Sequence, residues 1–297
     1  MSWLPAGIRR AEPLANHTSF RIGGPAEWFA EPSTVEDLIA LLRAAAHRGM
    51  PVSVIGGGTN SLVADRGIRG LVLRLGKGFR MVEALPDTQD DHARVRCGAA
   101  VITQRLVSLA CQRGWGNLEA LAGLPGQVGG AVVMNAQNIG QFVERLTLVS
   151  LGGDLEQLTS AQMQFAYRDT ALKPGIITDV TFRFPRAPVD ASADRIHQAL
   201  CRRNDSQETR LPSAGCAFKN PPGTSAGRLI DQAGLKGARI GDARVSERHA
   251  NFIVNVGQAT CDNVVSLMEH LQRRVVQRFG VWLEPEVRLF GERWDHR

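Results

Sequence analysis

The chain has 297 residues, an ordinary hydrophobic content and a net charge of +6, enough for about two domains with a sizeable core. Its basic residues are dispersed and its aromatics few, so the excess charge suits small anionic ligands rather than nucleic acid. No apolar run approaches the roughly 20 residues that span a bilayer, so no membrane insertion is expected.

The five cysteines (97, 111, 201, 216, 261) are scattered and contain no Cys-x-x-Cys pair. That argues against a disulfide framework and a zinc site and fits a reducing compartment, so a cytoplasmic location is expected. The opening Met1–Pro5 lacks the charged-then-apolar pattern of a signal peptide. The seven histidines contain no His-Glu-x-x-His pair, and no metal is expected.

In chain order, residues 14–32 read as strand, turn, strand around Gly23-Gly24-Pro25. Ser33 and Glu36 form a capping box for a helix whose Leu38, Leu41, Leu42 and Ala45 share one face. A strand over Val52–Ile55 runs into Gly56-Gly57-Gly58-Thr59-Asn60-Ser61. Without Cβ atoms, such a loop lets amide N–H groups close on phosphate oxygens, although three glycines also make a flexible turn. Leu71–Leu75, Arg80–Leu85 and Ala93–Cys97 read as short strands, with a surface loop over Pro86–His92. Val101–Arg113 reads as a helix. A second glycine-rich stretch follows, with Gly123, Gly126, Gly129, Gly130 and Ala131. It suits backbone wrapped around a phosphorylated ligand, or a small-residue helix packed closely on a sheet.

Gly152-Gly153-Asp154 marks a hairpin. Arg168, among Phe165, Tyr167 and Asp169, suits a planar carboxylate or an ion pair with Asp169. Ile176–Phe184 reads as a strand, Pro185–Asp194 as a linker and Ala193–Arg203 as a helix. Pro212–Pro221 then gathers a thiol, an ammonium and an amide: Cys216, Lys219 and Asn220. The thiol is either a buried structural group or a reactive one whose acidity a neighbouring positive charge raises. Ala226–Ala233 and Val264–Phe279 read as helices, and Phe252–Val256 and Trp282–Phe290 as strands. Glu284 and Glu286, at i and i+2, share one face of the last strand. His249 is the one histidine inside a stretch suspected of lining a site.

Taken together, these segments resemble one family, the UDP-N-acetylenolpyruvoylglucosamine reductases of peptidoglycan-precursor synthesis. The resemblance is carried in order by Asn16–Gly24, Val54–Leu62, Gly123–Ala131, Tyr167–Asp169, Gly215–Pro221, Ala226–Gly237 and Leu283–Arg288. It implies an α+β flavoprotein with a two-part FAD-binding region of the vanillyl-alcohol-oxidase type. That region would span residues 1–188, split near 70–80. A smaller α/β substrate-binding domain would span 189–297, its last strand and tail returning to the active site. The short path from Arg168 to Cys216 resembles the compact subfamily.

The resemblance also implies roles. FAD would be held non-covalently by Gly56, Gly57, Gly58, Thr59, Asn60, Ser61, Gly123, Gly126, Gly129, Gly130 and Ala131. NADPH would be the co-substrate and a UDP-sugar the substrate, contacted by Lys219, Asn220 and Arg228, with Lys219 near its diphosphate. Arg168 and Glu286 would face the developing enolate, and Glu286 would be protonated or sharing a proton, since a bare carboxylate would repel that charge. Cys216 stands where the family usually has the proton-donating serine. Asn135–Gly140 departs from the Asn-Ala-Gly-Ala-Tyr-Gly of many compact relatives. A cytoplasmic monomer acting as a UDP-N-acetylmuramate dehydrogenase is expected. The competing readings are another FAD-dependent oxidoreductase of this fold and a non-catalytic UDP-sugar-binding homologue.

Overall fold

The computed structural model describes residues 7–86 and 91–291. The opening Met1–Pro5, part of the loop expected over Pro86–His92, and the tail expected to return to the active site lie outside the described residues. Two compact units are present. The first comprises 1–8, 30–57 and 73–203, and the second comprises 9–29, 58–72 and 204–297.

The first unit is built on an antiparallel sheet of five strands. In spatial order they are Val82–Ala84, His92–Gly98, Gly175–Pro185, Val143–Ser150 and Leu155–Thr159. Alternation decides the faces: Val180, Phe182 and Phe184 are buried, while Asp179 and Arg183 lie on the other side of the same strand. The short helix Val128–Val133 lies against the central strand Gly175–Pro185 and its neighbour His92–Gly98. It can do so because Gly129 has no side chain; a Cβ there would sit 2.9 Å from that of Ala99. The hairpin at Gly152–Asp154 forms as expected, with Gly153 at φ 86°.

The second unit has a sheet ordered Ser213–Cys216, Phe252–Asn255, Ala243–Val245, Arg239–Ile240. The helix Cys261–Phe279 packs on the last two of these strands and on the helix Ala226–Gln232. Val264, Leu267, Met268, Leu271 and Val275 form its buried stripe. Phe20, Ile22 and Leu62 complete this core from the N-terminal segments. Strand Arg288–Phe290 runs parallel to Ser61–Val63.

Several elements differ from the sequence reading. The first helix, Val35–His47, is capped by Thr34, whose hydroxyl accepts from Asp37 N, one residue later than the expected Ser33. Residues 18–24 form no strand; Pro25–Ala30 pairs instead with Arg9–Pro13 on one side and neighbours Ile68–Leu73 on the other. Most of the expected linker is helix, which runs Val189–Ser206. Its run of small and polar residues resembles loop composition, while the apolar face is narrow, with only Ser192 and Ile196 buried. The last strand shrinks to Arg288–Phe290 because Pro285 has no N–H to donate to a ladder. Among the described residues, no helix is long and apolar enough to cross a membrane.

Candidate active site

Within the first unit, the two glycine-rich stretches meet. A Cβ on Gly57 would lie 2.9 Å from Gly126 Cα, so the two backbones approach at a distance only glycine allows. Among the described residues, the N–H groups of Gly56, Gly57, Gly126 and Gly130 have no acceptor, and the space beyond Gly130 Cα is open. Unpaired amides on side-chain-free backbone fit the diphosphate of a dinucleotide. The remaining residues of the stretch have their amides engaged. Gly123 N donates to Gln104 Oε1 at 2.9 Å, Gly129 N to Ala99 O and Ala131 N to Gln127 O. Gln104 also donates to the carbonyls of Leu121 and Leu124 at 3.0 and 2.9 Å, holding the stretch from one side chain.

Arg168 sits at the tip of a two-stranded hairpin, Phe165–Ala166 with Asp169–Thr170, at φ 56°. Its guanidinium lies 5.6 Å from the centre of the Tyr167 ring. Asp169 Oδ1 accepts from Thr170 N. Two bonds fasten this hairpin to the end of the glycine-bearing helix. Asn135 Nδ2 donates to Ala166 O at 2.8 Å, and the Thr170 hydroxyl donates to Val133 O. Asn135 Oδ1 also accepts from Gly140 N at 3.0 Å. Asn135, Gln137 and Asn138 all take positive φ, so all three adopt a left-handed backbone without being glycine.

Within the second unit, Cys216 ends the strand Ser213–Cys216, half-buried, just after Gly215 at φ 77°. The positive φ accompanies a register shift against Phe252–Asn255. Beyond Cys216, the chain lies beside the segment that carries the two glutamates. Glu286 N donates to Ala217 O at 2.9 Å, Lys219 N donates to Glu284 O at 2.8 Å, and Phe218 pairs with Pro285. Cys216 and Glu286 therefore sit on adjacent stretches of main chain. Asn60 Nδ2 donates to Glu286 O at 3.1 Å, and Asn60 O accepts from Arg288 N. Gly58 O accepts from Ser19 N and from the Ser19 hydroxyl. Ser61 is buried in the strand beside Arg288–Phe290.

Lys219 Nζ lies 2.6 Å from Glu284 Oε1. An exposed pair of this kind is worth at most about 1 kcal/mol and leaves the ammonium available to an incoming anion. Asn220 Oδ1 accepts from Ala226 N at 3.0 Å, bracing the turn before the helix Ala226–Gln232. On that helix, Arg228 is exposed.

Sequence reasoning missed Asn251, which is 2% exposed. Its Oδ1 accepts from Phe218 N at 3.0 Å and its Nδ2 donates to Phe218 O at 2.8 Å, while its own carbonyl accepts from Ala217 N. It clamps the two residues after Cys216. Asn251 N in turn donates to His249 Nδ1 at 3.2 Å. Burial, the largest influence, pushes the His249 imidazole below its ordinary value.

Residues 207–290 match the model of the UDP-N-acetylenolpyruvoylglucosamine reductase C-terminal domain, and residues 26–158 match an FAD-binding domain. The reductase 2 of Symbiobacterium thermophilum is 44% identical over 97% of this chain and 93% of its own length. The chain belongs to the UDP-N-acetylenolpyruvoylglucosamine reductase family. The reductase of Geobacter metallireducens is likewise 44% identical, over 96% of this chain and 94% of its own. The crystal structure of the reductase from Thermus caldophilus superposes with a TM-score of 0.78 at 36% identity, covering 95% of this chain and 98% of that one. The fold is thus that of the family: α+β, with an FAD-binding domain that contains both glycine-rich stretches.

Proposed function

We propose that this chain reduces UDP-N-acetylglucosamine enolpyruvate to UDP-N-acetylmuramate at the expense of NADPH, as a cytoplasmic monomer in peptidoglycan-precursor synthesis. Residues 1–188 would hold FAD. Residues 189–297, with the N-terminal segments that complete their core, would hold the UDP-sugar. Bound FAD supplies the hydride relay between NADPH and the enolpyruvyl group. The amides of Gly56, Gly57, Gly126 and Gly130 would hold its diphosphate, with Gly58, Thr59, Asn60, Ser61, Gly123, Gly129 and Ala131 shaping the two loops.

The chain's own residues manage charge and protons. As hydride adds to the vinyl carbon C3 of the substrate, negative charge builds at C2 and in the carboxylate. Arg168 supplies fixed positive charge there, and Glu286, carrying a proton, donates a hydrogen bond; both act where charge develops. The Cys216 thiol then donates its proton to C2. Lys219, Asn220 and Arg228 receive the nucleotide sugar. The observation that carries this reading is the bond from Glu286 N to Ala217 O, which sets the segment bearing the glutamate against the residue next to Cys216.

The experiment follows NADPH absorbance on adding the enolpyruvyl nucleotide to flavin-loaded protein, across pH, in wild type and two variants. A thiolate cannot donate, so the wild-type profile should fall on its alkaline side and Cys216→Ser should move that fall upward. Cys216→Ala should lose at least about a hundredfold in turnover, within the usual range for a proton donor. Near-full turnover in Cys216→Ala would overturn the assignment of the proton donor. No NADPH consumption by the wild type would overturn the reading as a whole.

A further inference from the structure

The open face of the first unit's sheet carries groups that the proposed reaction does not use. Cross-strand register puts Arg96, Thr181 and Arg145 in one row over three neighbouring strands, with Asp179, Thr147 and Gln157 in the next. These six side chains line a cleft of about 190 Å³.

Thr147 and Thr181 are only 8% and 3% exposed, yet among the described residues neither hydroxyl has a hydrogen-bond partner. Both side chains line the cleft, so each hydroxyl takes its partner from the cleft side. The charges above them are also incompletely used. Arg96 Nε donates to Asp179 Oδ1 at 3.0 Å, and its terminal nitrogens make no hydrogen bond among the described residues. Arg145 is exposed and, among the described residues, makes no ion pair; the nearby Glu144 is taken by Arg94, bonded at 2.6 and 2.8 Å. The neighbouring strands lie about 4.8 Å apart, so Arg96 and Arg145 rise about 10 Å from each other with the Thr181 hydroxyl between them. That spacing brackets one tetrahedral oxyanion. Arg96 is held between Asp179 and Glu83, its partner across the register on the edge strand, so Arg145 is the cleft's cation without an ion pair among the described residues.

We propose that this cleft binds the phosphate group of a small metabolite. Arg145 and Arg96 hold the phosphate from the sides, and Thr181, Thr147 and Gln157 hydrogen-bond it from the sheet. The volume falls below the roughly 300 Å³ at which pockets for drug-sized ligands begin, so the ligand is a phosphate with a few carbons rather than a nucleotide. The proposal uses no residue assigned to flavin, NADPH or UDP-sugar.

The test is calorimetric titration of the flavin-loaded protein with inorganic phosphate at fixed ionic strength, with saturating UDP present to fill any other diphosphate site. One saturable site is expected. Arg145→Gln and the double variant Thr147→Val/Thr181→Val should each weaken it by about tenfold or more, the scale of a hydrogen bond to a charged group. Arg145→Gln should leave turnover in phosphate-free buffer unchanged. Absence of a saturable site in the wild type, or titration curves that coincide for the wild type and both variants, would overturn the proposal.

Discussion

Neither Cys97 nor Cys216 is in a disulfide, and the two thiols differ in burial. Cys97 is fully enclosed in the strand His92–Gly98. Burial pushes its thiol from an ordinary 9.0 up to about 12, outweighing the Arg105 charge that pulls the other way. In the unfolded chain the same thiol ionises near pH 9. Between about pH 9 and about pH 12 the folded state therefore holds a proton that the unfolded state has lost, and stability falls as pH rises. The slope from this group is about 1.4 kcal/mol per pH unit. Cys97→Ala should be less stable at pH 7, because it opens a cavity, yet lose less stability per unit from pH 9 to 11 than the wild type does. Urea unfolding at pH 7, 9, 10 and 11 measures both. Parallel stability curves for the two proteins would show that Cys97 ionises as freely folded as unfolded.

At the scale of elements, what fixes the candidate site is a small set of amide side chains that tie loops together. Asn251 is the most direct to test, since a single truncation leaves both Phe218 N–H and Phe218 O without their partner inside the core. Leaving two such groups unsatisfied should cost about 2–4 kcal/mol. Asn251→Ala should lower the thermal midpoint accordingly and reduce turnover further than it reduces flavin content, because the chain it frees adjoins Cys216. Wild-type melting and turnover in that variant would remove Asn251 from the site. The glycine loops and the Cys216 stretch were legible because their chemistry is local: glycine runs, a thiol, turn residues. Asn251, Gln104 and Asn135 were not, because an asparagine or glutamine that clamps distant main chain has the same local sequence as one facing water. The helix Val189–Ser206 was half-hidden for a related reason: its Ala, Ser and Asp composition favours loops and helix starts alike. The three-residue strand Arg288–Phe290 shows the converse, since an apolar–acidic alternation from Trp282 suggested strand where Pro285 prevents a continuous ladder.

At the scale of the whole molecule, the second unit is assembled from three separate pieces of chain. Phe20, Ile22 and Leu62 are each no more than 2% exposed and belong to the same core as Phe218, Leu267 and Leu271. Strand Arg288–Phe290 has its parallel partner in Ser61–Val63, and Asn255 Nδ2 donates to Phe20 O at 3.2 Å. Asp65 accepts from Cys261 N and Asp262 N at 2.8 and 3.1 Å, capping the long helix from nearly 200 positions away. Non-local contacts of this kind leave no local periodicity to read. They also decide what a fragment can do. A peptide of residues 204–297 keeps the four-stranded sheet and two helices but exposes the faces that Phe20, Ile22 and Leu62 cover. Burying three such side chains is worth about 1.5–3 kcal/mol each, comparable to the whole stability of a domain that size. The fragment should therefore show no cooperative thermal transition and poor amide dispersion. Joining residues 9–29 and 58–72 to it through flexible linkers should restore both, since long connections cost little once the contacts form. A cooperative melt from the fragment alone would mean that the N-terminal segments decorate this core rather than complete it.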